Sequence, residues 1–132
     1  MGSENVGHGM VIKIRHYRAD EDYLLLKEWW EKQGYNWPLP HHLSTVGRVI
    51  EVNNVPVCIG FLYETNSSIA WFEQVICNCD APKNYRRIAL LELIETMKKL
   101  AKSSGFELLF SSTNIGSYRK KLTDSGFSIV DK

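Results

Sequence analysis

The feature that most constrains this chain is an amphipathic stretch, Tyr85 to Lys102, set between two apolar runs. Leu90, Leu93, Ile94, Met97, Leu100 and Ala101 recur at helical spacing along one face. Glu92, Glu95, Lys98, Lys99 and Lys102 take the other face, with Glu95 and Lys99 as a favourable i,i+4 pair. Before the helix, Ile69–Cys77 reads as a strand. After it, Gly105 is the stop and Phe106–Phe110 (FELLF) reads as a buried strand. A helix between two strands of one sheet implies a right-handed crossover and a parallel pair. The rest of the chain has to be arranged around that unit.

Upstream, Val11 to Tyr17 alternates as a half-buried strand does, with Ile12 and Ile14 on one face and Lys13 and Arg15 on the other. Asp20, Glu21 and Asp22 place acid in the first turn of a helix, where the helix dipole favours it. Leu25, Leu26, Trp29 and Trp30 follow at helical spacing, and Gly34 is the stop. Tyr35 to Pro40 (YNWPLP) is a loop, and a short second helix is expected from His41 to Ser44. Arg48–Val52 and Val55–Tyr63 flank Asn53-Asn54, a pair that tolerates the positive φ of a tight turn, so they form a hairpin. Asn66-Ser67-Ser68 turns the chain into Ile69–Cys77, the third strand of the meander. After the FELLF strand, Asn114 opens a shorter helix, Gly116–Asp124; Gly126 stops it, and Phe127–Val130 is a final strand. The expected class is mixed α/β, an antiparallel meander plus a parallel pair, in the order β-α-(α)-β-β-β-α-β-α-β. Residues 1–9 (MGSENVGHG) show no periodicity and are expected to be an appended or disordered tail, leaving 10–132 as one domain.

Composition narrows the function classes. The chain has 132 residues, 44% of them hydrophobic, and can bury a core without staples. No apolar run reaches the roughly 18 to 20 residues of a membrane helix. Sixteen Lys+Arg against fifteen Asp+Glu leave a net charge of +1, which speaks against a general nucleic-acid binder. Three cysteines, Cys58, Cys77 and Cys79, with no leader pattern, favour free thiols in a reducing cytoplasm. Cys77 and Cys79 with His41 and His42 are a weak metal half-site, since no pair has the spacing zinc usually takes.

Several residues then carry a resemblance. Ile14 to Asp22 is an opening strand with an acidic helix start, Val75 to Leu100 is a strand, loop, basic turn and long helix, and Asn114 precedes Gly126-Phe127 as in an "N…GF" ending. With the Ile59-Gly60 step, this order resembles the GNAT superfamily of N-acetyltransferases, and the RRIAL turn from Arg86 to Leu90 resembles small members carried by phages and prophages. The resemblance implies acetyl transfer from acetyl-CoA to an amine of a small molecule or protein. The family pattern Q/R-x-x-G-x-G/A falls on Asn84-Tyr85-Arg86-Arg87-Ile88-Ala89, where the pyrophosphate would meet backbone amides at a helix start. Ala89 keeps the small residue, whereas Asn84 stands at the Gln/Arg position and Arg87 at the middle glycine. Arg87 can obstruct backbone approach or, with Lys83 and Arg86, contact phosphate. The resemblance also puts the pantetheine arm against backbone groups of Val75, Ile76 and Cys77, and makes Asn114 a cofactor contact.

Glu73 interrupts an otherwise apolar strand, where an unpaired buried charge is costly. It resembles the strand Glu that some members use as general base, and a Glu on an exposed face is the alternative. The family's acid Tyr, four residues before the GF glycine, is Leu122 here, and Tyr118 lies one turn earlier. Cys77 as a covalent nucleophile is disfavoured, since no His or Lys neighbour is visible. Trp29 and Trp30 read as core or partner surface, and Trp37 as the better wall of an acceptor pocket. The competing reading is a degenerate, catalytically silent fold that docks to another protein, for example a host protein. A homodimer stays open, and a free sheet edge would serve either association.

Overall fold

A computed structural model describes residues 3–6, 9–112 and 116–127. The elements are β1 (Ser3–Val6), β2 (Met10–His16), α1 (Ala19–Lys32), a 3-10 turn at Pro40–His42, β3 (Gly47–Val52), β4 (Val55–Glu64), β5 (Ile69–Cys77), α2 (Lys83–Ser103), β6 (Leu108–Phe110) and α3 (Gly116–Asp124). One six-stranded sheet runs β1-β2-β3-β4-β5-β6. All its pairs are antiparallel except β5–β6, the parallel pair that the α2 crossover demands.

Alternation along the strands sorts the core into two layers. Ile12, Ile50, Val52, Cys58, Leu62 and Phe72 face α2 and α3, meeting Leu93, Ile94, Met97, Tyr118 and Leu122. Val49, Ile59, Phe61 and Ile76 face α1 and meet Leu26 and Trp29. The hairpin turn is as expected, with Asn53 and Asn54 at φ 51° and 68°. Gly34 and Gly105 take positive φ just beyond their helices, as helix-stopping glycines do. No helix among the described residues is long and apolar enough to cross a membrane.

Several expectations are corrected. Ser3–Val6 are not outside the fold: they pair with β2 from Ser3↔Lys13 to Val6↔Met10 and form an edge strand. The short helix expected from His41 is a single 3-10 turn that starts at Pro40, whose fixed φ suits a first helical position. The FELLF segment is not a buried strand throughout, for only Leu108–Phe110 pair and Leu108 is half exposed. Lys98, rather than Lys99, bonds Glu95, at 3.2 Å. Asn114 and positions 128–130 of the expected last strand lie outside the described residues, while Phe127 closes α3 through its N–H to Leu122 O at 3.0 Å.

Asp22, read from sequence only as a first-turn acid, is 3% exposed. Arg15 grips it with two bonds of 2.8 Å and reaches Glu51 at 2.7 Å, so β2, β3 and α1 are pinned together. The Arg18 N–H adds a third bond to Asp22 at 2.8 Å. Burial opposes ionisation of Asp22, but the Arg15 and Arg18 bonds outweigh it and hold the carboxyl below its ordinary value. A depressed folded-state pKa stabilises above the unfolded value of about 3.9, and that stability is lost as pH falls through the folded value. Arg15→Ala, which leaves Asp22 buried and unpaired, is expected to cost about 3 to 5 kcal/mol in chemical denaturation. With Arg15 gone, burial raises Asp22, so the variant's loss should begin to shrink above the ordinary value of about 3.9 and go on shrinking below it, as the wild-type Asp22 also takes up its proton.

Candidate functional site

The site begins with a mismatch between β4 and β5. Phe61 stands opposite Glu73 and Ile59 opposite Ile76, so Gln74 and Val75 share a place against Gly60 alone. Gln74 takes the extra residue up at φ 56°, a left-handed conformation unusual for a side-chain-bearing residue. Such a bulge bends its strand. The parallel pairing with β6 accordingly covers only Ile69, Ala70 and Trp71. Beyond it, side chains bridge the strands: Ser111 Oγ donates to Phe72 O at 2.7 Å, and Ser112 bonds Glu73 through its N–H at 3.2 Å and its hydroxyl at 3.0 Å.

Among the described residues no strand pairs the part of β5 past the bulge on its β6 side, which leaves an open edge there. The Asn78 N–H bonds Val57 O at 2.8 Å, and alternation then turns the Ile76 backbone toward β4 and those of Val75 and Cys77 toward the opening. Gln33 Nε2 donates to the Cys77 carbonyl at 2.8 Å, so the Cys77 backbone faces this edge, and alternation gives Val75 the same side. Ile76 itself is core on the α1 face. Cys58 and Cys77 stand directly opposite, with sulfurs 2.7 Å apart. Burial, then the bond to Cys77, pushes the Cys58 thiol well up, so it stays protonated.

Glu73 is half-buried. Burial raises its pKa, opposed by the two Ser112 bonds. Tyr118 comes from α3 into the same opening. It is 8% exposed, its ring lies edge-on to Phe72, and its Oη is 3.1 Å from Ser111 Oγ. Burial raises this phenol, with smaller contributions from Cys58, Glu73 and Cys77, so the hydroxyl keeps its proton beside the sheet opening. Tyr118 lies one turn before the position that the resemblance implies, and α3, packed on α2, brings it beside Ser111. Leu122, at the family's Tyr position, is core.

The basic turn starts α2. Pro82 precedes the helix without a side-chain cap, and the first turn holds no acid, so its leading amides lack partners within the helix. Lys83, Asn84 and Arg87 are exposed. Arg86 is tied back by Nε to Ala81 O at 3.1 Å. Tyr85 accepts a bond from Asn53 at 2.8 Å, while Ile88 and Ala89 face the core. Thus Glu73, Val75 and Cys77 lie together with Tyr118, whereas Asn84 to Ala89 form a separate turn that follows β5. Ser111, Ser112 and the bulge escaped sequence reasoning; only Gly60 hinted at a close approach. Trp29 is core and Trp37 is 37% exposed, with Lys27 Nζ 4.8 Å above its ring.

No protein-family model and no curated protein matches the chain in sequence. Solved structures do match in shape. The Rv2747 protein of Mycobacterium tuberculosis in complex with CoA superposes with a TM-score of 0.72 at 13% identity, over 90% of this chain and 73% of that one. Salmonella typhimurium yncA with its cofactor acetyl-CoA gives 0.68 at 12%, over 91% and 81%. An aminoglycoside N-acetyltransferase in complex with CoA gives 0.63 at 15%, over 100% and 93%. Identities this low establish the fold alone: the chain has the GNAT-like fold.

A Cβ on Gly60 would lie 2.9 Å from both Leu93 Cδ2 and Phe72 Cε1, and 3.3 Å from Val75 Cγ2. Gly60→Ala is therefore expected to destabilise by about 1 to 3 kcal/mol through overpacking. Thermal unfolding against wild type checks this.

Proposed function

We propose that this chain is an N-acetyltransferase that moves an acetyl group from acetyl-CoA to a primary amine. The observation that carries the reading is Glu73, held by Ser112 where β5 and β6 part, beside the open edge of Val75 and Cys77. The fold shared with CoA-bound acetyltransferases supports it.

The residues present fit acetyl-CoA. The uncapped first turn of α2, with Lys83, Arg86 and the exposed Arg87 around it, suits a pyrophosphate. Asn84 and Tyr85 contribute turn amides, while Ile88 and Ala89 seat that turn on the core. The strand edge suits the amide-bearing arm, with Val75 and Cys77 as the pairing residues rather than Ile76. Asn114 remains part of the proposal through the resemblance alone. Acetyl-CoA would supply the activated acetyl group as a thioester.

In this reading Glu73 takes a proton from the acceptor ammonium, so that the neutral nitrogen can form its bond to the acetyl carbon. An amide of the β5 edge donates to the carbonyl oxygen as charge develops there. The carbon–sulfur bond breaks, Tyr118, its phenol kept protonated by burial, gives its proton to the departing sulfur, and the nitrogen's surplus proton passes to the phenolate, directly or through water, as the amide forms. Tyr118 thus takes over what Leu122 cannot do, which disfavours a silent docking fold. The free thiols suit a reducing cytoplasm, and the RRIAL turn a phage-type protein.

The test is release of the CoA thiol with a mixture of primary amines. Glu73→Gln should lower kcat by roughly 10²- to 10⁴-fold. Because burial raises Glu73, the wild-type rate should rise with pH along a limb above the ordinary Glu value of about 4.3, and that limb should vanish in the variant. An unchanged rate and limb in Glu73→Gln would remove the base from the mechanism.

A further inference from the structure

The α1 face of the sheet is only partly covered. Leu26 and Trp29 of α1 close over Val49, Ile59, Phe61 and Ile76, and Tyr63, next on this face of β4, packs at the margin of that cluster. Tyr63 and Trp71, directly opposite one another, follow there. Trp71 stays 38% exposed and meets Phe110 of β6 edge-on at 5.2 Å between centroids. Alternation places Glu73 on this same face, since Phe72 between it and Trp71 is core on the other. The Tyr63 hydroxyl donates to His42 O at 2.9 Å, so the 3-10 turn forms a rim. The result is an aromatic floor with one carboxylate at its inner end.

The charge pattern limits what that floor suits. Glu51 and Asp22 are engaged on Arg15, and Glu28 and Asp80 on Lys32. Among the described residues Glu73 accepts from the neutral N–H and hydroxyl of Ser112 and pairs with no cation, so its carboxyl is available to a ligand's ammonium. A polyamine would bring several cations to a floor with one carboxylate, and its further ammonium groups gain there only the cation–π attraction of the rings. A single ammonium with a flat apolar carrier matches both parts, the cation at Glu73 and the carrier against the rings. We infer that the acceptor is a primary monoamine carried on an aromatic group, with its ammonium at Glu73 and its ring on Trp71, Tyr63 and Phe110. This assignment rests on the acetyl-transfer reading for its chemistry, but not for the binding surface.

The experiment pairs turnover with direct binding. Thiol release from acetyl-CoA is compared for phenethylamine, hexylamine and spermidine, and the indole N–H resonance of Trp71 is followed on adding each amine alone. Phenethylamine should be preferred in kcat/KM by at least about tenfold over hexylamine and should shift the Trp71 signal. Trp71→Ala should abolish the preference, and Trp71→Phe should restore most of it, which a general loss of folding would not allow. Turnover of hexylamine or spermidine at least as fast as phenethylamine would overturn the aromatic assignment while leaving acetyl transfer standing. Absence of turnover for every amine, with phenethylamine still shifting Trp71 selectively, would uphold the binding surface and count against acetyl transfer. Absence of any selective shift would overturn the inference.

Discussion

Two residues of β5 set against one of β4 are the constraint on which the rest depends. The extra residue turns β5 at Gln74, ends its pairing with β6 after Trp71, and leaves the Val75 and Cys77 backbone on an edge that no strand among the described residues pairs. The same geometry brings Glu73 to Ser112 and leaves room for Tyr118 beneath the parting strands. Gly60 is the other half of the arrangement. Without a Cβ it lets Leu93 and Phe72 close in opposite the bulge, so the opening sits on a packed floor.

Holding an opening in a sheet requires rigid surroundings. On the α2 side the long helix supplies them by apolar burial. On the α1 side a half-buried guanidinium joins β2, β3 and α1 through Asp22 and Glu51. Its value lies in the geometry it fixes more than in net stability, because the cost of desolvating three charges offsets much of their attraction. The Tyr23 and Tyr63 hydroxyls then tie the loop around Pro38 to His42 over the sheet, at 2.8 and 2.9 Å.

Much of this was legible in the sequence because it is periodic. The apolar stripe of α2, the alternation of β2 and the Asn53-Asn54 turn each follow from local spacing, and together they imply the parallel pair. What was not legible is set by tertiary partners. SENV has no alternation, and only its pairing with β2 makes it a strand. Gln74 bears no mark of a left-handed residue; its conformation is imposed by the register on either side. Asp22 looks like a dipole-favoured surface acid until Arg15 folds over it. Glu73 stood out as a polar break in an apolar strand, yet its Ser112 partners lie 39 positions away. Tyr118 was one turn from the expected place, and the packing of α3 on α2 decides where it points.

The central claim is that the open edge of β5 and the first turn of α2 form one acetyl-CoA site. Calorimetric titration of acetyl-CoA into the protein tests it most directly, repeated with Arg86→Ala and Arg87→Ala. Binding at about micromolar affinity (near 8 kcal/mol), weakened by either substitution, is the predicted result. No heat of binding at roughly millimolar ligand, where even a weak site of about 4 kcal/mol is half filled, would contradict it.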